Sequence, residues 1–294
     1  MNERHPNQSE RGRGTQVRRS SGNRSLQDEL REAREQLANY RETLVSIQRA
    51  MLPPQLPNVP GLEMAVHFAD ADGVGGDFYD VRPVAAGHWA IVVADVVGHG
   101  LGAAAILAVV HALGNGVDRQ RVLAEPGAAL GLVNGPLATR YLADTGKFVT
   151  AFVGLYDADA QVLTYASAGH PPPRLIRGNT VRRLEDVSGL PLGLDQTSAY
   201  EQSSLELRPG DRLVLFTDGI TESRNAAHSL FGEERLDAVL EASANSAAAL
   251  LDRVTSSVRA FRKGRPADDD ETCLIAVVNP IDAIPQSESE VVRC

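Results

Sequence analysis

The chain has 294 residues, 43% hydrophobic and 23% charged, with a formal net charge of −9, a composition suited to a sizeable globular core and poorly suited to nucleic acid. Its longest strongly apolar run, LGAAAILAVV at 101–110, is too short for a bilayer span of about 20 residues, and the polar N-terminus shows no secretory leader. Two cysteines, Cys273 and Cys294, build no disulfide framework, so the expected setting is a reducing cytoplasm with no membrane partner.

Residues 1–25 hold six arginines and two glutamates, a local +4 that leaves −13 for the rest. With almost nothing apolar, this stretch reads as a disordered basic tail. From 26 to 51 the pattern changes. Leu26, Leu30, Ala33, Leu37, Tyr40, Leu44, Ile47 and Met51 recur at spacings of three and four, which predicts a helix roughly 39 Å long with an a/d seam. Two readings of the seam stay open: a coiled coil joining two copies as a homodimer, or an amphipathic helix folded back on its own domain. The prolines of LPPQLP end the helix and complete a linker segment, 26–57.

Between 58 and 280 the pattern is compact and mixed. Strand-like runs fall at 62–68, 78–84, 88–94, 149–156, 162–167, 173–177, 181–184, 203–207, 212–217 and 273–278. Helical patterns fall at 101–113, 126–143, 233–242 and 246–263, with Pro126 suited to a first helical turn. Strands follow one another through hairpin signals such as DADA at 157–160 and PGD at 209–211, which argues for an α+β fold with antiparallel sheets. Ten strands are many for one open sheet, so two stacked sheets flanked by helices are expected. Residues 281–294 read as a flexible tail.

Several aspartates share one local grammar, each at the edge of an apolar run beside glycine or another acid. Asp77 follows Gly75-Gly76 in VGGDFYDV, Asp95 ends WAIVVAD, Asp218 ends LVLFTD, and Asp269 and Asp270 precede TCLIAVV. Acids set repeatedly against buried strands are costly unless a cation or a donor compensates. Carboxylates with backbone carbonyls make a hard oxygen site, which suits Mg²⁺ or Mn²⁺ and not zinc. DADGVGGD at 70–77 starts like a calcium loop, but Val74 occupies a ligand position and no glutamate stands twelfth. GGDFYD is similar to a diguanylate cyclase signature with Phe78 in an acidic position, and no Walker A or dinucleotide fingerprint occurs.

VGGDFYDV, VVADVVGHGLGAAAILA, FVTAFVGLYD, YASAGHPPP, GLPLG, LRPGDRLVLFTDGITES and DDDETCLIAVV follow in the order seen in bacterial metal-dependent (PPM-type) serine/threonine phosphatases. The resemblance is to the branch of sporulation protein E and RsbU, and it covers roughly 44–279. It implies stacked antiparallel sheets flanked by helices (an αββα sandwich) and a centre of two Mn²⁺ or Mg²⁺ ions. Carried over by position, Asp77 and Asp95 are central ligands with Asp95 bridging. Val96 contributes a backbone carbonyl, Asp218 and Asp269 complete the set, and Asp270 stands where relatives often have Asp or Asn. Relatives usually have proline-alanine before VGGD; this chain reads DADG, an expected change of loop shape and not of activity.

The same resemblance implies hydrolysis of phosphoserine or phosphothreonine by a metal-activated water. No covalent phospho-enzyme is needed, in keeping with Cys273 lying mid-strand. The implied substrate is a small phosphorylated anti-sigma-factor antagonist, and an activator is expected to bind the 26–51 helix, which in turn would set the position of the 101–113 helix and gate the metals. His99 in GHG and His170 in AGHPPP are open to roles as acid or phosphate contacts but read first as structural turn histidines, and Thr150 and Glu222 as parts of the site's rim. The alternatives are a catalytically weak binding module on the same fold, or a nucleotide cyclase.

Overall fold

A computed structural model describes residues 17–71, 73–118, 120, 125–242 and 246–280. By contacts the chain divides into two units, 1–43 and 44–294. The first unit holds most of helix α1, Val17–Met51, which starts upstream of the seam expected from Leu26. Along it Leu26, Leu30, Leu37 and Tyr40 are exposed among the described residues.

The second unit is a sandwich of two five-stranded sheets, and all its strand pairs are antiparallel. The strands are β1 Leu62–Ala69, β2 Asp77–Ala85, β3 His88–Val96, β4 Val149–Asp157, β5 Val162–Ala168, β6 Arg174–Arg177, β7 Thr180–Arg183, β8 Gln202–Glu206, β9 Arg212–Phe216 and β10 Glu271–Val278. One sheet runs β1-β10-β9-β6-β7, the other β2-β3-β4-β5-β8. The sequence-based α+β expectation holds, with strand ends displaced by one or two residues.

Period-two alternation assigns the two faces of each strand. Tyr79, Val81, Ile91, Val93, Leu213, Leu215, Leu274 and Ala276 point inward and build the core between the sheets. Their neighbours Phe78, Ala94 and Val96 point outward, under α2 (Leu101–Gly116) and α3 (Pro126–Pro136). On the opposite flank Val214, Phe216, Cys273 and Ile275 pack under α4 (Glu233–Glu241) and α5 (Ala247–Arg262). The result is four layers, helix–sheet–sheet–helix. Ser246 caps α5 by accepting from the Ala249 N–H at 3.1 Å, and Lys263 in the left-handed region ends it.

The single helix expected over 126–143 is instead α3 followed by a π-helical turn, Leu137–Tyr141. Pro136 has no N–H to donate, and the next turn widens so that the Leu142 N–H reaches the Leu137 carbonyl at 2.8 Å. Arg174, fully buried on β6, is the largest surprise in the core. It reaches Asp237 at 2.7 Å and Glu233 at 3.2 Å on α4 and lies over the Phe216 ring, so its charge is paired and not orphaned.

Candidate metal centre and active site

Asp77 opens β2, Asp95 lies one residue from the end of β3, and the register sets them directly opposite each other. Both have the parity of the inward-facing residues Tyr79 and Val93, so both carboxylates enter the gap at one end of the sandwich. The facing sheet answers with two hydroxyls of the same parity. Thr217, just past β9, and Thr272 on β10 each donate to Asp77 Oδ2, at 2.7 and 2.6 Å. Asp77 is 2% exposed, and both threonines are fully buried.

Asp218 follows Thr217 and starts a helical turn, Asp218–Thr221. Asp269 and Asp270 immediately precede β10. Asp270 Oδ1 accepts from the Ala71 N–H at 2.9 Å and Oδ2 from the Gly76 N–H at 2.7 Å, which clamps the loop ahead of Asp77. Gly75 and Gly76 are required by space and not by backbone angles, since neither has a positive φ. A Cβ on Gly75 would stand 2.0 Å from Asp270 Oδ2, and one on Gly76 2.7 Å from the Val96 carbonyl oxygen. The glycines therefore admit the two oxygen groups, Asp270 and the Val96 carbonyl, that the family resemblance implies.

Burial, reinforced by Asp218, Asp269 and Asp270, pushes the Asp95 carboxyl up to about 8. Asp77 is raised well above the usual range by burial and by Asp95, against the pull of its two threonine donors. Burial and the neighbouring Asp269 and Glu222 lift Asp218 to about 6. Burial also raises Asp270, opposed by the amides of Ala71 and Gly76. Mutually facing acids with raised values are a locus of unneutralised negative charge. Among the described residues no three acids, histidines or cysteines stand close enough to enclose an ion as they lie. The carboxylates converge without closing.

Around this cluster, Thr150 lies opposite Asp95 on β4 and its hydroxyl meets His170 Nδ1 at 3.1 Å. Burial holds His170 neutral, its value pushed down to about 3, which fits a structural histidine. His99 lies in the loop between β3 and α2, near enough to Asp270 to oppose that group's rise. Glu222 is exposed at the rim. Lys147 donates from Nζ to the Val97 carbonyl at 3.1 Å, beside Gly98.

Three contributors escaped the sequence reading: Thr217, Thr272 and Gln48. The threonines carried a readable signal, a hydroxyl of inward parity beside an acid at a strand end. Gln48 carried none. It is 3% exposed at the end of α1, accepts from the Gly75 N–H at 3.1 Å, and donates to Asp70 Oδ1 at 3.2 Å and the Gly75 carbonyl at 3.4 Å. The last turn of α1 thus holds the glycine loop itself, whereas the sequence reading had it act through the 101–113 helix.

Two stacked antiparallel sheets between helix layers, with acids gathered at one end of the gap, define a PP2C-type phosphatase fold. Residues 85–279 match the family model of Stage II sporulation protein E (SpoIIE), and the chain belongs to that family. It is 28% identical over 255 residues to protein IcfG of Synechocystis, covering 79% of this chain and 40% of that one. To phosphoserine phosphatase RsbU of Bacillus subtilis it is 29% identical over 201 residues, covering 66% and 57%. The chain spans about half the length of these curated relatives. Among solved structures, the SiaA-PP2C domain of Pseudomonas aeruginosa superposes with a TM-score of 0.71 at 24% identity, covering 84% of this chain and 99% of that one. The catalytic domain of the serine/threonine phosphatase PstP, solved with two manganese ions, superposes at 0.55 and 17% identity, covering 74% and 99%.

Proposed function

We propose that this chain is a protein serine/threonine phosphatase that uses two divalent cations, Mn²⁺ or Mg²⁺, to hydrolyse phosphoserine or phosphothreonine. The observation that carries the reading is the convergence of Asp77 and Asp95 from one sheet with Asp218, Asp269 and Asp270 beside strands of the other, at one end of the sandwich. The donor set fits the cations. It is all oxygen, burial and mutual repulsion raise Asp77, Asp95 and Asp218, and two glycines keep space beside Asp270 and the Val96 carbonyl.

In this reading Asp77, Asp95, the Val96 carbonyl, Asp218 and Asp269 hold the ions, with Asp270 serving the glycine loop as well. When bound, two such ions supply Lewis acidity and an activated water for in-line attack on phosphorus. The chain's own part is to place those oxygens and to keep His170 neutral and hydrogen-bonded to Thr150, opposite Asp95. No side chain need act as nucleophile. Cys273 is fully buried, and burial pushes its thiol up to about 12.

The substrate we infer is a small phosphorylated antagonist of an anti-sigma factor. Supporting it are the likeness to RsbU and a solved structure of similar fold that contains the RsbU and RsbW domains of Rv1364c from Mycobacterium tuberculosis. Homodimerisation through α1, or capture of an activator there, is supported by its exposed stripe, with Leu26 65% and Tyr40 67% exposed. No described helix is long and apolar enough to cross a membrane, and a cytoplasmic setting is part of the proposal. The deciding experiment is Mn²⁺-dependent phosphate release from a phosphoserine protein. Asp95→Ala and Asp218→Ala are expected to lower it by about 10³-fold or more. A wild type inactive with both Mn²⁺ and Mg²⁺, or mutants with full activity, would overturn the reading.

A further inference from the structure

Asp77 is held in a way the other candidate ligands are not. Thr217 Oγ1 accepts from the Thr272 N–H at 3.0 Å, so its single proton is left to donate, and it goes to Asp77 Oδ2. The Thr272 hydroxyl proton goes to the same oxygen. The Thr217 N–H in turn donates to the Thr272 carbonyl at 3.0 Å, so the two threonines lock each other. Two hydroxyls with one proton each, both aimed at one oxygen, fix the carboxylate's rotation and fully occupy that oxygen. The remaining oxygen, Oδ1, is the one Asp77 has for Asp95 opposite it, or for a cation between them.

The clamp joins three segments that carry candidate ligands. Thr217 directly precedes Asp218, Thr272 follows Asp269 and Asp270 by three and two positions, and Asp77 belongs to the other sheet. We propose that Thr217 and Thr272 are positioning residues that present Asp77 Oδ1 to a divalent cation and so set the affinity of the site. This rests on the phosphatase reading for the identity of the ion but not on turnover.

The test is calorimetric titration of MnCl₂ into the full chain after chelation, for wild type, Thr217→Val, Thr272→Val, and Thr217→Ser and Thr272→Ser. Each valine variant keeps the shape and loses the donor, and its Kd for Mn²⁺ is expected to rise tenfold or more. Each serine variant keeps the donor and is expected to stay within about threefold of wild type, a rescue that a packing role of the threonine methyl would not give. Valine variants that bind as tightly as wild type overturn the proposal, as do serine variants as weak as valine ones. If a valine variant does not fold, Thr→Ala at that position is compared with Thr→Ser by the same criterion. Wild type that binds Mn²⁺ but releases no phosphate would sink the phosphatase reading and leave this one standing.

Discussion

The two sides of the acidic cluster are built on opposite principles. On the floor, Asp77 and Asp270 are almost fully buried, and each is satisfied by neutral donors, two threonine hydroxyls for one and two backbone amides for the other. At the rim, Asp95, Asp218 and Asp269 are half-buried, and burial together with neighbouring acids raises Asp95 and Asp218. The floor is fixed in orientation by the fold, yet burial and Asp95 raise Asp77 as well, so both sides await positive charge. A site of this kind keeps a rigid reference point while its other ligands remain adjustable, which agrees with acids that converge without closing.

The largest way to break that contrast is at the backbone beneath it. A Cβ on Gly219 would lie 1.8 Å from the Asp270 carbonyl oxygen and 2.9 Å from its carbon, so no side-chain rotation relieves the overlap. Gly219→Ala is expected to cost at least about 3 kcal/mol, read by urea unfolding. Gly75→Ala meets only the Asp270 carboxyl group, which can swing away. Its expected cost is about 1–2 kcal/mol, with a larger loss of Mn²⁺ affinity because the amide clamp opens. Equal stability losses from the two alanines would contradict a floor made of one rigid and one movable partner.

The rim is tested by pH. Asp95 rises from 3.8 to about 8 on folding, so its contribution favours the folded state while protonated and is lost as pH rises from about 4 through 8. In chelator, the wild-type Tm is expected to fall by about 5 °C or more between pH 5 and pH 8.5. Saturating Mn²⁺ should flatten that slope. Asp95→Asn should also flatten it without any metal, making the inactive variant the more stable one at high pH. A variant as pH-sensitive as wild type would place the repulsion elsewhere.

How much of this was legible in the sequence follows from the range of the forces. Strands and helices were readable because period-two and heptad patterns are local, and the aspartates because each sits at the end of such a run. Which strand lies beside which was not readable, since β1 pairs with β10 from the far end of the domain. Thr217 and Thr272 acquire their meaning only when that pairing brings them under Asp77. Arg174 carries no local sign of its burial, because the two acids that pair it come from α4, far along the chain. The π-helical turn after Pro136 was hidden because the apolar pattern runs on through it.

The smallest expected effect concerns the join between the floor and helix α1. Gln48 is an isolated polar side chain in a buried position, and it satisfies the Gly75 N–H, the Gly75 carbonyl and Asp70 together. Asp70 itself is raised by burial and by Asp270, with Gln48 pulling the other way. Gln48→Ala leaves the Gly75 amide without its acceptor, at an expected cost of about 1–2 kcal/mol. The loss should not stop at stability, because Gly76 is the next residue and donates to Asp270. Mn²⁺ affinity is therefore expected to drop by a few-fold, well short of the threonine variants. A stability loss with unchanged affinity would show that the glycine loop is held by Asp270 alone, and that the end of α1 only packs against it.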